Sequence, residues 1–342
     1  MATPVAPAPD PGTAPDPGPR RAQFLRRRWT SSPERMLLAA RLALIANVGI
    51  MLSGALVRVT GSGLGCSNWP KCDTRVLPTQ AHAPTFIEFG NRMLTFAVSA
   101  TALFAIFSAL TLAVYRRDLL WLSVGLLGGV FAQAVIGGMS VLYDLDWIWI
   151  SAHYMVSLLL LVVPAAILTW RSGIGTKAPR KNLAKDVLTA RVVFALLPIG
   201  ALALWAGTLA TAAGPNSGGS ATNDVVKRFD VHGTGTLEWI VQRHGAIAAI
   251  FGIGIIVAWA VAKWRKAGER LTLALTLSGM LVAVQGMLGL IQYGLELPGG
   301  LVWVHVTLAT LTWTSVVWAW LIAGPAKRHL AGTGASSPVA AD

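Results

Sequence analysis

Eight stretches of predominantly apolar residues divide the chain and constrain its fold more than any other feature. A helix of about 20 such residues can cross a membrane, and each stretch reaches that length. Because the stretches are continuously apolar and do not alternate with a period of two, they predict helices rather than strands of a membrane barrel. With 54% apolar and 13% charged residues, the composition excludes an ordinary soluble domain. The predicted spans are residues 36–57, 86–114, 119–142, 147–170, 192–213, 237–262, 271–291 and 301–323.

The basic residues are distributed by loop, which indicates topology and not nucleic-acid binding. If both termini are cytoplasmic, about three quarters of the 28 Lys and Arg residues lie on the cytoplasmic side. We therefore expect a multi-pass protein of the cell membrane, surrounded by lipid, with both termini inside. Residues 1–35, rich in Pro, Ala and Arg, and residues 324–342 predict disordered cytoplasmic tails, and residues 171–191 predict a cytoplasmic linker.

The two halves of the chain repeat each other. Three residues of the first half recur 153 positions later: Gly54, Leu56 and Gly61 correspond to Gly207, Leu209 and Gly214. Three more recur 152 positions later: Gln133, Gly137 and His153 correspond to Gln285, Gly289 and His305. Residues 36–170 and 192–323 therefore predict two copies of a four-helix bundle. Because each copy has an even number of spans, we expect a pseudo-twofold axis along the membrane normal. The predicted fold class is an all-α membrane protein with eight transmembrane helices.

The repeat also identifies candidate site residues. His244 and His305 lie on separate helices of the second half, whereas the first half has Asn91 and His153 at the matching positions. A single buried histidine is as often structural as functional. Two histidines at repeat-related positions of a helix bundle favour axial ligation of heme iron. The small residues nearby either make room for the macrocycle or serve helix packing.

Glu88 occurs only in the first half, because the matching position is Val241. It shares a helix face with Asn91 and Arg92. Two interpretations remain open: an ion pair between Glu88 and Arg92, or a carboxylate that relays protons beside a substrate whose acidic group Arg92 neutralises.

Further candidates lie near the outer helix ends. Arg58 and Arg243 are placed either to contact heme propionates or to reach lipid headgroups. Cys66 and Cys72 fall in the first outer loop, where the compartment permits a disulfide. Two free thiols and a cycling redox pair are the alternatives, and the spacing does not match a zinc site.

Several motifs and the duplication resemble the heme A synthase family, over roughly residues 36–323. The motifs are GALVRVTGSGLGCSNWPKC at Gly54–Cys72, IEFGNR at Ile87–Arg92, QAVIGG at Gln133–Gly138 and GTLATAAGP at Gly207–Pro215. The resemblance implies an eight-helix membrane oxidoreductase. Its reaction converts the C8 methyl group of heme O into the formyl group of heme A, for use by cytochrome oxidase.

The resemblance also implies roles for individual residues. The second half is expected to bind heme b through His244 and His305. The first half is expected to bind heme O, with His153 as iron ligand and Glu88 required for catalysis. Cys66 and Cys72 resemble paired outer-loop cysteines of the family.

One position departs from the family pattern. In this chain Asn91 replaces the histidine of the family's Glu-x-x-His motif. We therefore expect His153 to bind the substrate iron alone, with Asn91 as a hydrogen-bonding group.

The expected partners are the heme O-forming farnesyltransferase and an unidentified electron-transfer protein. A two-heme electron carrier would use the same histidines without catalysis. A parallel-repeat transporter is the third interpretation, and it predicts broken helices at the bilayer midplane.

Overall fold

The computed structural model describes residues 20–66, 68–72, 82–173, 186–218 and 226–324, and it is helical with no β-strand over those residues. A short helix, α1 (Arg20–Arg28), precedes the long helices of this part of the chain. The long helices are α2 (Pro33–Val59), α3 (Ala83–Thr111), α4 (Arg117–Leu142), α5 (Trp147–Gly173), α6 (Val187–Ala213), α7 (Thr236–Trp264), α8 (Glu269–Gly294) and α9 (Gly299–Ala323).

The eight predicted spans are confirmed as helices long and apolar enough to cross a membrane. Less than half of the most apolar segment of each helix is buried within the protein. Large apolar side chains such as Phe96, Ile256 and Leu290 point outward and are more than half exposed. An exposed apolar surface of this extent requires an apolar surrounding, which lipid supplies.

The helices extend beyond the apolar stretches because polar residues cap them. At the start of α2, the Ser32 hydroxyl accepts a hydrogen bond from the Arg35 amide (3.3 Å), and Pro33 occupies the first helical position. Helix α6 begins at Val187, five residues before the predicted span. The linker predicted at residues 171–191 is therefore shorter than expected, and its residues 174–185 lie outside the described residues.

The prediction of a disordered tail is wrong for residues 20–35. Helix α1 packs against the end of α3, where the rings of Trp29 and Phe107 meet edge to face at 6.3 Å. The Ser31 amide donates to the Thr111 carbonyl (2.9 Å), and the two hydroxyls are 2.8 Å apart. These contacts order the segment despite its charge. Residues 1–19 and 325–342, also predicted to be disordered, lie outside the described residues.

Helix α5 contains one π-helical turn, Leu158–Val162. Pro164 follows this turn and has no N–H, so the Leu160 carbonyl loses its usual helical donor. A Cβ atom at Gly129 of α4 would lie 2.9 Å from that carbonyl oxygen. The glycine therefore allows α4 to approach α5 closely beside the irregular turn.

The N-terminal and C-terminal sets of helices pack against each other through α2, α5, α6 and α9. A buried apolar cluster joins Met51 and Leu158 to Trp313 and Val317. The Trp303 indole also donates across this interface to the Leu52 carbonyl (2.9 Å). The first and last spans of each half thus form the interface.

Helix boundaries recur with the spacing of the sequence repeat. Helices α3 and α7 begin and end 153 residues apart, and α4 and α8 begin and end 152 residues apart. Asn91 and His244 consequently lie at the same distance from the starts of their helices. His153 and His305 match in the same way, because α5 and α9 also begin 152 residues apart.

Asp186→Ala is expected to lower the free energy of unfolding by about 1 kcal/mol, the usual contribution of a helix N-cap. The Asp186 carboxylate accepts hydrogen bonds from Arg265 (2.8 Å) and from the amide of Thr189 (3.0 Å). The Arg265 guanidinium and the Thr189 hydroxyl hold the pKa of this carboxyl well below its usual range. Denaturation in detergent at neutral pH measures the loss.

The pH dependence follows from the direction of this shift. Because the pKa is lower in the folded protein than in the unfolded chain, the stabilisation is present above the ordinary pKa of aspartate and lost as the pH falls through the lowered value. Arg265→Ala removes an exposed ion pair and should cost less than Asp186→Ala. Equal stability of Asp186→Ala and the unmodified protein would contradict the capping role.

Candidate heme site

His244 and His305 face each other across the C-terminal half. Their rings belong to α7 and α9, with centroids 6.2 Å apart and planes at 75°. The Ala203 carbonyl of α6 lies 3.0 Å from His244 Nδ1 and accepts its proton, which leaves Nε2 free as a ligand. Since a metal–imidazole bond is about 2 Å long, the separation accommodates one metal ion between the rings.

The pair would need further ligands to hold a bare metal ion. Among the described residues, no group of three or more His, Cys, Asp or Glu side chains surrounds a common position. Two imidazoles without a third protein ligand fit an ion that brings its own equatorial ligands, as heme iron does.

Each of the three membrane-embedded histidines lies against a glycine of a neighbouring helix. A Cβ atom at Gly207 would lie 3.0 Å from Cε1 of His244, and one at Gly289 would lie 3.3 Å from Cε1 of His305. Gly137 stands in the same relation to His153, at 3.0 Å. Of the small residues noted in the sequence, Gly286 has nothing within 4 Å. The three contacting glycines leave space for the imidazoles.

His153 in the N-terminal half has a hydrogen-bonding neighbour that the sequence analysis did not assign to it. The Gln133 side-chain amide lies 2.7 Å from His153 Nδ1 and 3.0 Å from the backbone nitrogen of Ser157. In the orientation that satisfies both groups, the amide nitrogen donates to Nδ1, so the proton of the neutral ring lies on Nε2. The signal was present in the sequence, because Gln133 recurs together with Gly137 and His153.

The Glu88 carboxylate is buried near the start of α3, with 4% of the residue exposed. Its Oε1 accepts from Arg92 Nη2 (2.5 Å), and its Oε2 accepts from the Cys66 amide (2.7 Å). The ion pair considered in the sequence analysis is therefore present. The carboxylate also anchors the loop that contains Cys66, which the sequence did not indicate.

Cys66 and Cys72 form a disulfide, with an S–S distance of 2.01 Å. Arg92 Nη1 donates to two carbonyls of the closed loop, those of Asn68 (2.9 Å) and Lys71 (3.3 Å). Both terminal nitrogens of Arg92 are thus used within the protein. The predicted disulfide is confirmed, and Arg92 holds its loop.

The disulfide loop also reaches α4. A Cβ atom at Gly138 would lie 2.6 Å from Cδ2 of Trp69, so the indole rests directly on this glycine. Gly138 follows Gly137, which contacts His153. The loop consequently joins the Glu88 segment of α3 to the part of α4 that packs on His153.

Two of the predicted site residues of the N-terminal half carry buried atoms without a partner among the described residues. They are Asn91, through Oδ1, and Arg58, through Nε and Nη2. Arg243, by contrast, stacks on Trp239 at 3.8 Å and donates to its carbonyl (2.9 Å). Of the two predicted propionate contacts, Arg58 has the free donors.

Cys66→Ser with Cys72→Ser is expected to destabilise the loop that binds Glu88 while leaving the His244–His305 pair unchanged. Opening so short a loop costs about 2 kcal/mol in the chain-entropy estimate and loosens the amide that binds Glu88. Denaturation in detergent measures the loss of stability. A variant as stable as the unmodified protein would contradict the stabilising role of the disulfide.

Comparison with known proteins identifies the family of the chain. The profile of the cytochrome oxidase assembly protein family matches residues 38–317. Among similar proteins, the heme A synthase of Lysinibacillus sphaericus is 36% identical over 126 residues, which cover 34% of this chain and 39% of that protein. The heme A synthase of Macrococcus caseolyticus is 31% identical over 115 residues, covering 32% and 37%.

These matches span about two fifths of the relatives' own length. The family profile, however, extends from the start of α2 to within α9 and covers most of the chain. The chain therefore belongs to the cytochrome oxidase assembly protein family.

Proposed function

We propose that the chain is a heme A synthase, an oxidoreductase that converts the C8 methyl group of heme O into a formyl group. Two successive hydroxylations and the loss of water would give heme A. The family match and the names of the relatives support this function. The observation that carries it is the His244–His305 pair, whose geometry suits a six-coordinate heme.

The C-terminal half would hold heme b between His244 and His305. When bound, this heme supplies one-electron transfer out of the substrate half. Ala203 fixes the orientation of one imidazole through its carbonyl, and Gly207 and Gly289 leave room for the rings. Four helices, α6, α7, α8 and α9, thus contribute to the position of the two imidazoles.

The N-terminal half would bind heme O as substrate. His153 would hold its iron through Nε2 once the Gln133 amide turns its oxygen towards Nδ1–H, and Gly137 leaves room for the ring. A single iron ligand, His153, would not prevent the macrocycle from rotating about the iron–nitrogen bond. Another residue must therefore fix its orientation. Arg58 is suited to that task, because its unpartnered donors can bind a propionate.

Glu88 would take up protons released at the C8 carbon. It is the buried carboxylate of this half, and Arg92 and the Cys66 amide hold it in one orientation. A fixed, buried carboxylate is suited to proton transfer once a substrate carbon lies within reach. Arg92 acts through Glu88 and is a positioning residue.

Two four-helix bundles related by a pseudo-twofold axis would carry these sites. The recurring helix boundaries and histidine–glycine contacts support the arrangement. The disulfide supports an outer location of the site, since such bonds persist in oxidising compartments. Both termini would then be cytoplasmic, as the loop charges indicate. The farnesyltransferase that forms heme O is the expected supplier of substrate, with a separate protein accepting electrons.

The deciding experiment is extraction of hemes from protein purified after co-expression with a heme O-forming enzyme. Chromatography with absorption and mass detection should find heme B together with heme O and heme A. Heme B alone would identify a two-heme electron carrier. An absence of heme would contradict both functions and favour a transporter.

A further inference from the structure

The N-terminal half has an open space where the C-terminal half has an imidazole. His244 packs against Gly207, and the residues 153 positions earlier are Asn91 and Gly54. Both glycines are half-buried at corresponding points of α6 and α2. Nevertheless, nothing lies within 4 Å of a Cβ atom built on Gly54. The shorter side chain at position 91 leaves that space unfilled.

The amide of Asn91 presents an acceptor without a donor. Its Oδ1 is buried and has no hydrogen-bond partner in the part of the chain that the structure describes. A buried oxygen left in this state costs about 1–3 kcal/mol, which a bound donor can recover. Imidazole nitrogen suits iron, whereas an amide carbonyl suits harder cations, so Asn91 is a poor substitute for an axial histidine.

The Glu88 carboxylate is not free to bind a ligand beside Asn91. Glu88 lies one helical turn before Asn91 on α3, and its carboxylate is paired with Arg92. Arg58, one turn after Gly54 on α2, has unpartnered donors, and the proposed function assigns them to a propionate. What Asn91 itself offers is an uncharged acceptor, which suits a small neutral ligand that donates a hydrogen bond.

We infer that Gly54 and Asn91 form a binding site for a small, neutral hydrogen-bond donor on the face of the substrate macrocycle opposite His153. The inference rests on the proposed function, because heme O must occupy the N-terminal half. In this arrangement the substrate iron has one protein ligand, while heme b has two. The two hemes then differ in their response to an added ligand.

Imidazole is the probe, because it has the size of the ring that position 91 lacks. Protein loaded with both hemes is oxidised and titrated with imidazole, and spin state is followed by absorption and electron paramagnetic resonance. We expect one heme to change from high-spin to low-spin while the other stays low-spin throughout. Asn91→His should make both hemes low-spin before any imidazole is added.

Gly54→Val should weaken imidazole binding by about tenfold or more, since filling such a space by one or two methyl groups has effects of this size. Gly49→Val is the matched control, because Gly49 is on the same helix, exposed, and also has nothing within 4 Å. It should respond as the unmodified protein does. Heme extraction from every variant confirms that heme O is still bound. If Gly54→Val no longer binds heme O, the spectrum of Asn91→His is the test of the inference.

Two outcomes would overturn the inference: both hemes low-spin and unresponsive in the unmodified protein, or an imidazole response that survives Asn91→His. Failure of the proposed function is distinguishable from these. In that case, co-expression would yield protein without heme O or heme A, before any titration is made.

Discussion

Glu88→Gln is expected to abolish heme A formation while heme b remains bound at full occupancy. Glutamine retains an acceptor for the Cys66 amide but cannot take up a proton, so the loop stays attached and proton transfer is lost. Removal of a general base typically lowers the rate by about 10²–10⁴-fold. Heme b should persist, because its two ligands lie in the other half of the chain. Extracted heme A and heme B, per mole of protein, are the quantities to measure.

Arg92→Gln is the matched control for Glu88→Gln. It breaks the ion pair and the two bonds to the disulfide loop, yet leaves the carboxylate in place. Its loss of heme A should therefore be partial. If Glu88 served only to anchor the loop, the two variants would lose activity equally. Loss of heme b from Glu88→Gln would contradict the division of roles between the halves.

His244→Ala and His305→Ala are each expected to eliminate six-coordinate heme b, and with it the formation of heme A. In the proposed site each ring would supply one of the two iron ligands, and among the described residues no group of three or more His, Cys, Asp or Glu side chains offers a replacement. Reduced-minus-oxidised absorption spectra and heme B content measure the loss. Heme O should still be extracted from both variants, because His153 is untouched.

Gly207→Val tests the same site without removing a ligand. A Cβ atom there already lies 3.0 Å from Cε1 of His244, so the larger side chain must displace the ring. We expect a weakened or altered heme b spectrum in this variant. His82→Ala should change nothing, since His82 is exposed and its side chain makes no capping bond. An unaltered heme b spectrum in His244→Ala would refute the ligand assignment.

Hydrophobic length alone predicted the number and type of the spans, because a helix in lipid must satisfy its own backbone. The same signal missed helix ends, since Ser32 and Asp186 cap helices whose first turns lie outside the predicted apolar stretches. Helix α1 was also missed. Its order depends on Trp29 and Ser31 meeting α3, some 80 residues away in sequence. Composition carries no information about such a contact.

The candidate site divides in the same way. Internal repetition was enough to select His153, His244, His305 and their glycines, because duplication preserves the positions that pack together. The bond from His244 to the Ala203 carbonyl could not be predicted, since every residue has a carbonyl and only packing selects one. The contact of Trp69 with Gly138 could not be predicted either, because it depends on how the disulfide loop packs against α3 and α4.

The disulfide-closed loop gives the two halves different requirements for maturation. Cys66 and Cys72 are the two cysteines of the chain, so no second bridge exists. The His244–His305 pair is built by membrane helices alone and can form as soon as they assemble. The Glu88 segment also needs a loop whose two cysteines have been oxidised. A cell that cannot oxidise this loop would accumulate protein in which the proposed heme b site is complete before the proposed substrate site.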